Sequence, residues 1–126
     1  MAHHRPLART VRALFWLALV TAFVMATLPQ PPTLLPMETT DKTQHVLAFA
    51  VLTLLLRVGY PEVPVHKVVI MLALFGAGIE MVQLIPALQR TADVMDWIAD
   101  MTAVGAMLLI IALLQRLFGR RPRTAS

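Results

Sequence analysis

The feature that most constrains this chain is the gathering of its apolar residues into four segments, 13–28, 46–56, 68–85 and 94–118, separated by polar or proline-containing sequence. Such runs seek a bilayer as their solvent, and inside a bilayer the backbone must satisfy its own hydrogen bonds. Hydrophobic residues make up 58% of the 126 and charged residues 14%, against about half and about a quarter in a soluble domain. The expected fold is all-α, a four-transmembrane-helix bundle over residues 13–118, preceded by a basic start at 1–12 and followed by a basic tail at 119–126.

The boundaries of the segments carry chemical punctuation. Arg5, Arg9 and Arg12 precede the first, and Gln30-Pro31-Pro32 ends it, because proline lacks an amide proton and clashes with the preceding turn. A basic start, a short apolar stretch and Val24-Met25-Ala26 also fit a cleavable signal peptide. The segment is read as a retained helix, since the rest of the chain is itself membrane-bound. Asp41 is placed as a helix N-cap, with Gln44 three residues on to complete a capping box. The second span is too short by its apolar part alone, so His45 and Arg57 must lie near its two boundaries, with Arg57 reaching the headgroups along its aliphatic stem. Pro61 and Pro64 break the following turn, Pro86 stops the third span, and Asp93 caps the fourth.

Charge assigns the two faces. With four spans, nine of the eleven Lys and Arg residues fall on the side of the termini, leaving only Lys42 and Arg90 opposite. Basic residues in short loops mark the cytoplasmic side, so both termini are expected in the cytoplasm of a bacterial inner membrane. Glu62 is the one acidic residue on that side. Glu38, Asp41, Glu80, Asp93, Asp96 and Asp100 lie toward the other. The net charge of +4 suits no nucleic-acid partner, because the basic residues border apolar segments and form no basic helix or aromatic-basic ladder. Absence of cysteine excludes disulfides, thiolate nucleophiles and thiolate metal sites.

Three helix ends should thus meet in one outer layer. Asp41, Lys42 and His45 come from the second span, Glu80 and Gln83 from the third, and Arg90, Asp93, Asp96 and Asp100 from the loop and the fourth. Asp41 and His45, and Asp96 and Asp100, are four apart, and Glu80 and Gln83 three apart, so each pair shares a helix face. Glu80 lies six positions before Pro86, about 9 Å into the helix. A carboxylate facing lipid there costs about 2.5–3.5 kcal/mol. Glu80 should instead face the bundle interior and find a partner among Arg90, Lys42 and His45. On this reading His45 and Glu80 form an acid–base pair, and Lys42 and Arg90 bind anionic groups. A histidine–carboxylate metal site ranks below a purely structural role, because no HExxH-type helix is present. Gly76, Gly78 and Gly105 are expected to let helices approach closely.

Asp41-Lys42-x-x-His45 opening a helix, then Glu80-x-x-Gln83, Arg90, and Asp96 six residues later, resembles the VanZ-like family of small bacterial membrane proteins. The resemblance covers roughly residues 41–105. Asp100 and Ala103 stand where that family usually has Asn and Gly. It implies an integral membrane protein related to one linked to teicoplanin (glycopeptide) resistance, with no particular reaction attached. The candidate site is then His45, Glu80 and Asp96 as reacting groups, with Asp41, Lys42, Gln83, Arg90 and Asp100 as binding groups. Its expected partners are the lipid bilayer and a lipid-linked or glycosylated envelope substrate. Cofactor use, enzymatic activity and oligomeric state stay open, and the competing expectation is a non-enzymatic accessory or structural protein. Ion or proton transport is weaker still, since the inner halves of the spans carry no continuous polar path.

Overall fold

A computed structural model of the chain describes residues 5–28, 41–88 and 92–119, with only the backbone of Arg5, Asp41 and Lys42. Those residues form four helices: α1, Arg5–Thr27; α2, Asp41–Gly59; α3, Val65–Val82; and α4, Val94–Phe118. A short 3-10 turn at Pro86–Leu88 lies between α3 and α4. The all-α expectation holds. Three of the helices, α1, α3 and α4, are long and apolar enough to cross a membrane, while the apolar part of α2, Thr43–Gly59, is shorter.

The helix ends follow from local chemistry. α1 starts earlier than the apolar run because arginine is a good helix former, so Arg9 and Arg12 are absorbed into its first turns. α2 closes at Gly59 ahead of Pro61, and two arginines satisfy the carbonyls there. Arg12 Nε donates to the Gly59 carbonyl at 2.7 Å, and Arg57 Nη1 donates to the Val63 carbonyl at 2.7 Å. Arg57 thus holds the turn below its own helix. α3 ends at Val82, three residues short of the apolar run's limit at Ile85. The cause is Pro86, whose ring would strike the carbonyl four residues back, that of Val82. At α4, Asp93 is the N-cap as expected, its side chain accepting from the Met95 amide at 2.9 Å. The Asp41 capping box lies outside the described residues, since the Asp41 side chain is not among them.

Contacts between helices give the arrangement. Arg12 of α1 meets Gly59 and Glu62 just after α2, so α1 and α2 are antiparallel. Trp97 of α4 donates through Nε1 to the Ala73 carbonyl of α3 at 3.0 Å, and Glu80 reaches Asp93, so α3 and α4 are antiparallel too. His45 near the start of α2 faces Asp100 near the start of α4, which makes those two parallel. α2 packs against α1, α3 and α4 and supplies the centre of the core. Phe49, Leu52, Thr53 and Leu56 are all at most 2% exposed. Val68, Leu72 and Ile79 of α3 and Ala103 and Val104 of α4 complete the core.

Among the three glycines expected at close helix contacts, only Gly76 is one. A methyl group built there would lie 3.1 Å from Trp97 Cδ1 and 3.3 Å from Phe49 Cζ. Gly78 and Gly105 would meet nothing within 4 Å, and the expectation for them is corrected. A glycine contributes to packing only when its rotational position points at a neighbouring helix. The close approach that was not foreseen is at Gly59, where side-chain atoms of Val11 and Arg12 of α1 lie 3.3 Å from the place a methyl group would occupy.

Candidate functional site

The polar residues gather at the end of the bundle where α1 and α3 finish and α2 and α4 begin. Asp100 sits two turns into α4 and is 1% exposed. Its Oδ2 lies 3.7 Å from Nδ1 of His45, whose side chain is 12% exposed. This is an ion-pair separation, too long for a direct hydrogen bond. A buried carboxylate and an imidazole at this distance can hold or pass a proton through a small shift of either group. Glu80, one turn beyond Gly76 on α3, lies within electrostatic reach of His45, Asp96 and Asp100. One cluster therefore joins α2, α3 and α4.

Among the described residues the hydrogen-bond partner of Glu80 is a backbone group. Its Oε2 accepts from the Asp93 backbone amide at 2.8 Å. An amide at the N-terminus of α4 is a natural anion ligand, since the first amides of a helix lack intrahelical acceptors. Depth in the helix pointed Glu80 inward, but only the crossing of α3 over the start of α4 decided that a backbone group would reach it. Gln83 is likewise taken up. It is 4% exposed, and its Nε2 donates to the Ala26 carbonyl at 2.9 Å. Asp96 is half-buried in the first turn of α4 and adds negative charge beside Glu80 and Asp100. His45 thus stands 3.7 Å from Asp100 and within electrostatic reach of Glu80. Arg90 and the side chains of Asp41 and Lys42 lie outside the described residues.

Three acceptor oxygens in this cluster, Glu80 Oε1, Gln83 Oε1 and Asp100 Oδ1, are buried with no hydrogen-bond partner among the described residues. Buried polar atoms are normally paired, so these oxygens mark where donors would be held most strongly. Among the described residues no group of three His, Cys, Asp or Glu side chains is placed to hold a metal ion.

Sequence reasoning missed the contribution of α1. A cavity of about 540 Å³ runs between α1 and α2, lined on one side by residues from Leu14 to Ala26 and on the other by residues from Gln44 to Leu55, with Ile79 behind. Its side chains are apolar except for Thr21, Gln44 and His45. No periodicity announced it, because α1 has an almost continuous apolar surface that does not single out one neighbour. The functional pointer was available only in His45, which lies both on this cavity and beside Asp100.

Fold and site together define a small helical, multi-pass membrane protein with a buried acidic cluster at one end of its bundle. Compared with known protein families, curated proteins and solved structures, the chain matches none of them.

Proposed function

We propose that this chain is a VanZ-like protein of the bacterial inner membrane. It crosses the bilayer four times, keeps both termini in the cytoplasm, and uses the polar cluster at its outer face to bind or modify a lipid-linked or glycosylated envelope substrate. What carries the reading is the convergence of His45, Glu80, Gln83 and Asp100 at the bundle end opposite the basic termini. Intramembrane ionisable groups are costly to maintain and are by default functional. The inward, multi-sided packing of α2 supports counting it as a fourth span despite its short apolar part. Its 19 residues extend about 28 Å, close to the ~30 Å of a hydrocarbon core. In this reading His45 transfers the proton, Asp100 sets the orientation and charge of the imidazole, and Glu80 and Asp96 receive the substrate's polar head. The test is Glu80→Gln in a teicoplanin-sensitive host protected by the wild-type protein. Gln keeps an acceptor for the Asp93 amide, so membrane abundance should stay near wild type while protection is lost. Full protection by Glu80→Gln would overturn the role given to that carboxylate.

A second reading has a specific observation behind it. Glu80 and Gln83 each already hold a backbone group of another helix, the Asp93 amide and the Ala26 carbonyl. Those bonds would suit a non-enzymatic accessory protein whose buried polar groups lock α1, α3 and α4 together. Under this alternative, cluster substitutions lower abundance and protection in parallel, and a matched replacement pair restores both.

A further inference from the structure

The cavity between α1 and α2 meets the acidic cluster at His45, which lines the one and faces Asp100 of the other. At its outer end the cavity is bounded by Ala26, whose carbonyl is held by Gln83, by His45, which faces Asp100, and by Ile79, the residue before Glu80. Away from that end its walls are apolar apart from Thr21. Leu14, Leu17, Leu47 and Val51 on its edges are between 47% and 64% exposed, so it opens sideways, toward the surface that a membrane protein presents to lipid. From Leu14 to Ala26 the α1 wall extends about 18 Å at 1.5 Å per residue. One leaflet's share of the hydrocarbon core is about 15 Å. The cavity's volume of about 540 Å³ falls inside the usual range for a small-ligand site, about 300–1,000 Å³.

We propose that this groove seats one acyl tail of an outer-leaflet membrane lipid whose headgroup carries a primary amine, with the amine held at the His45–Asp100 end. This deepens the envelope-substrate reading by naming the substrate class, and it rests on that reading's placement of the acidic end outside. The tail follows from the groove's length, apolar walls and lateral opening. The amine follows from charge and hydrogen-bonding capacity. Six acidic residues and two basic ones belong to this end by sequence. Glu80 Oε1, Gln83 Oε1 and Asp100 Oδ1 are buried acceptors without donors among the described residues. A primary ammonium offers three donors and no acceptor, so it suits an end of the bundle rich in acidic groups and buried acceptors. A quaternary ammonium carries the same charge but no N–H group. An anionic head adds charge of the wrong sign.

The experiment uses the full-length protein purified in mild detergent and offered phosphatidylethanolamine, phosphatidylcholine and phosphatidylglycerol with identical acyl chains, with retained lipid read by native mass spectrometry. Phosphatidylethanolamine should be retained about tenfold better than phosphatidylcholine, the discrimination that one charge-assisted hydrogen bond supplies. Asp100→Asn should reduce that ratio toward one. Thr21→Trp, which fills the groove from an exposed position on α1, should lower retention of all three lipids. Equal retention of phosphatidylethanolamine and phosphatidylcholine by the wild-type protein overturns the amine assignment without recourse to any variant. Preference for phosphatidylglycerol overturns it as well, and undiminished retention by a folded Thr21→Trp protein overturns the groove. The two proposals fail separately. Lipid-blind binding with an inactive Glu80→Gln protein sinks only the amine lipid, whereas amine-selective binding with a fully active Glu80→Gln protein sinks the envelope chemistry.

Discussion

Gly76→Ala, set against Gly78→Ala and Gly105→Ala, tests the helix packing beneath the site with a single added methyl group. At positions 78 and 105 the methyl would meet nothing within 4 Å. Each change should therefore stabilise the folded chain by up to about 1 kcal/mol, the helix-propensity difference between glycine and alanine. At position 76 the methyl would lie 3.1 Å from Trp97 Cδ1 and 3.3 Å from Phe49 Cζ. Neither ring can yield easily. Trp97 is tied by its Nε1 to the Ala73 carbonyl at 3.0 Å, and Phe49 is 1% exposed. Overpacking of this kind costs about 1–3 kcal/mol, which offsets the propensity gain or exceeds it. Gly76→Ala should thus be less stable than Gly78→Ala by about 1–3 kcal/mol. The assay is reversible unfolding of the full chain in mixed detergent micelles, followed by tryptophan emission, for which Trp97 reports the contact itself. Because Glu80 lies one helical turn from Gly76, the displaced α3 should also weaken the bond from Glu80 to the Asp93 amide. If Gly76→Ala is as stable as Gly78→Ala, the close approach of α3 and α4 at Gly76 is wrong.

Gln83→Ala should destabilise the fold by about 1 kcal/mol by removing the buried hydrogen bond that ties α3 to α1, and the same unfolding assay reads it. Arg12→Ala should cost about 1–2 kcal/mol by removing a hydrogen bond to the Gly59 carbonyl and a cation–π contact with Tyr60. Arg12→Lys should recover only part of this, because a lysine ammonium cannot reproduce the guanidinium's geometry; the half-exposed Glu62 pair adds little. Single cysteines at Thr39 and Thr91 should react with a membrane-impermeant thiol reagent on intact cells, with Pro64→Cys unreactive. The native chain has no cysteine to add background. Reaction at position 64 alone would invert the topology and remove the outer-leaflet site.

Much of this protein is written locally. Segment number and helix type followed from apolar runs, and helix ends from Pro61, Pro64, Pro86 and Asp93, because backbone stereochemistry and capping act within a few residues. The gathering of polar groups at one end was also legible, since four alternating segments return Asp41, Glu80 and Asp96 to the same side. Partner choice was not. A helical spacing of three or four places Glu80 and Gln83 on one face of α3, yet it does not say which neighbour that face meets. The rotation and crossing of α3 over α4 brought Glu80 to the Asp93 amide. The seating of α2 between α1 and α4 gave His45 to Asp100 and opened the α1–α2 groove beside it. The same rotations buried Gly76 against Trp97 and left Gly78 and Gly105 facing outward. Sequence periodicity determines the faces of each helix, and only packing among all four determines which faces touch.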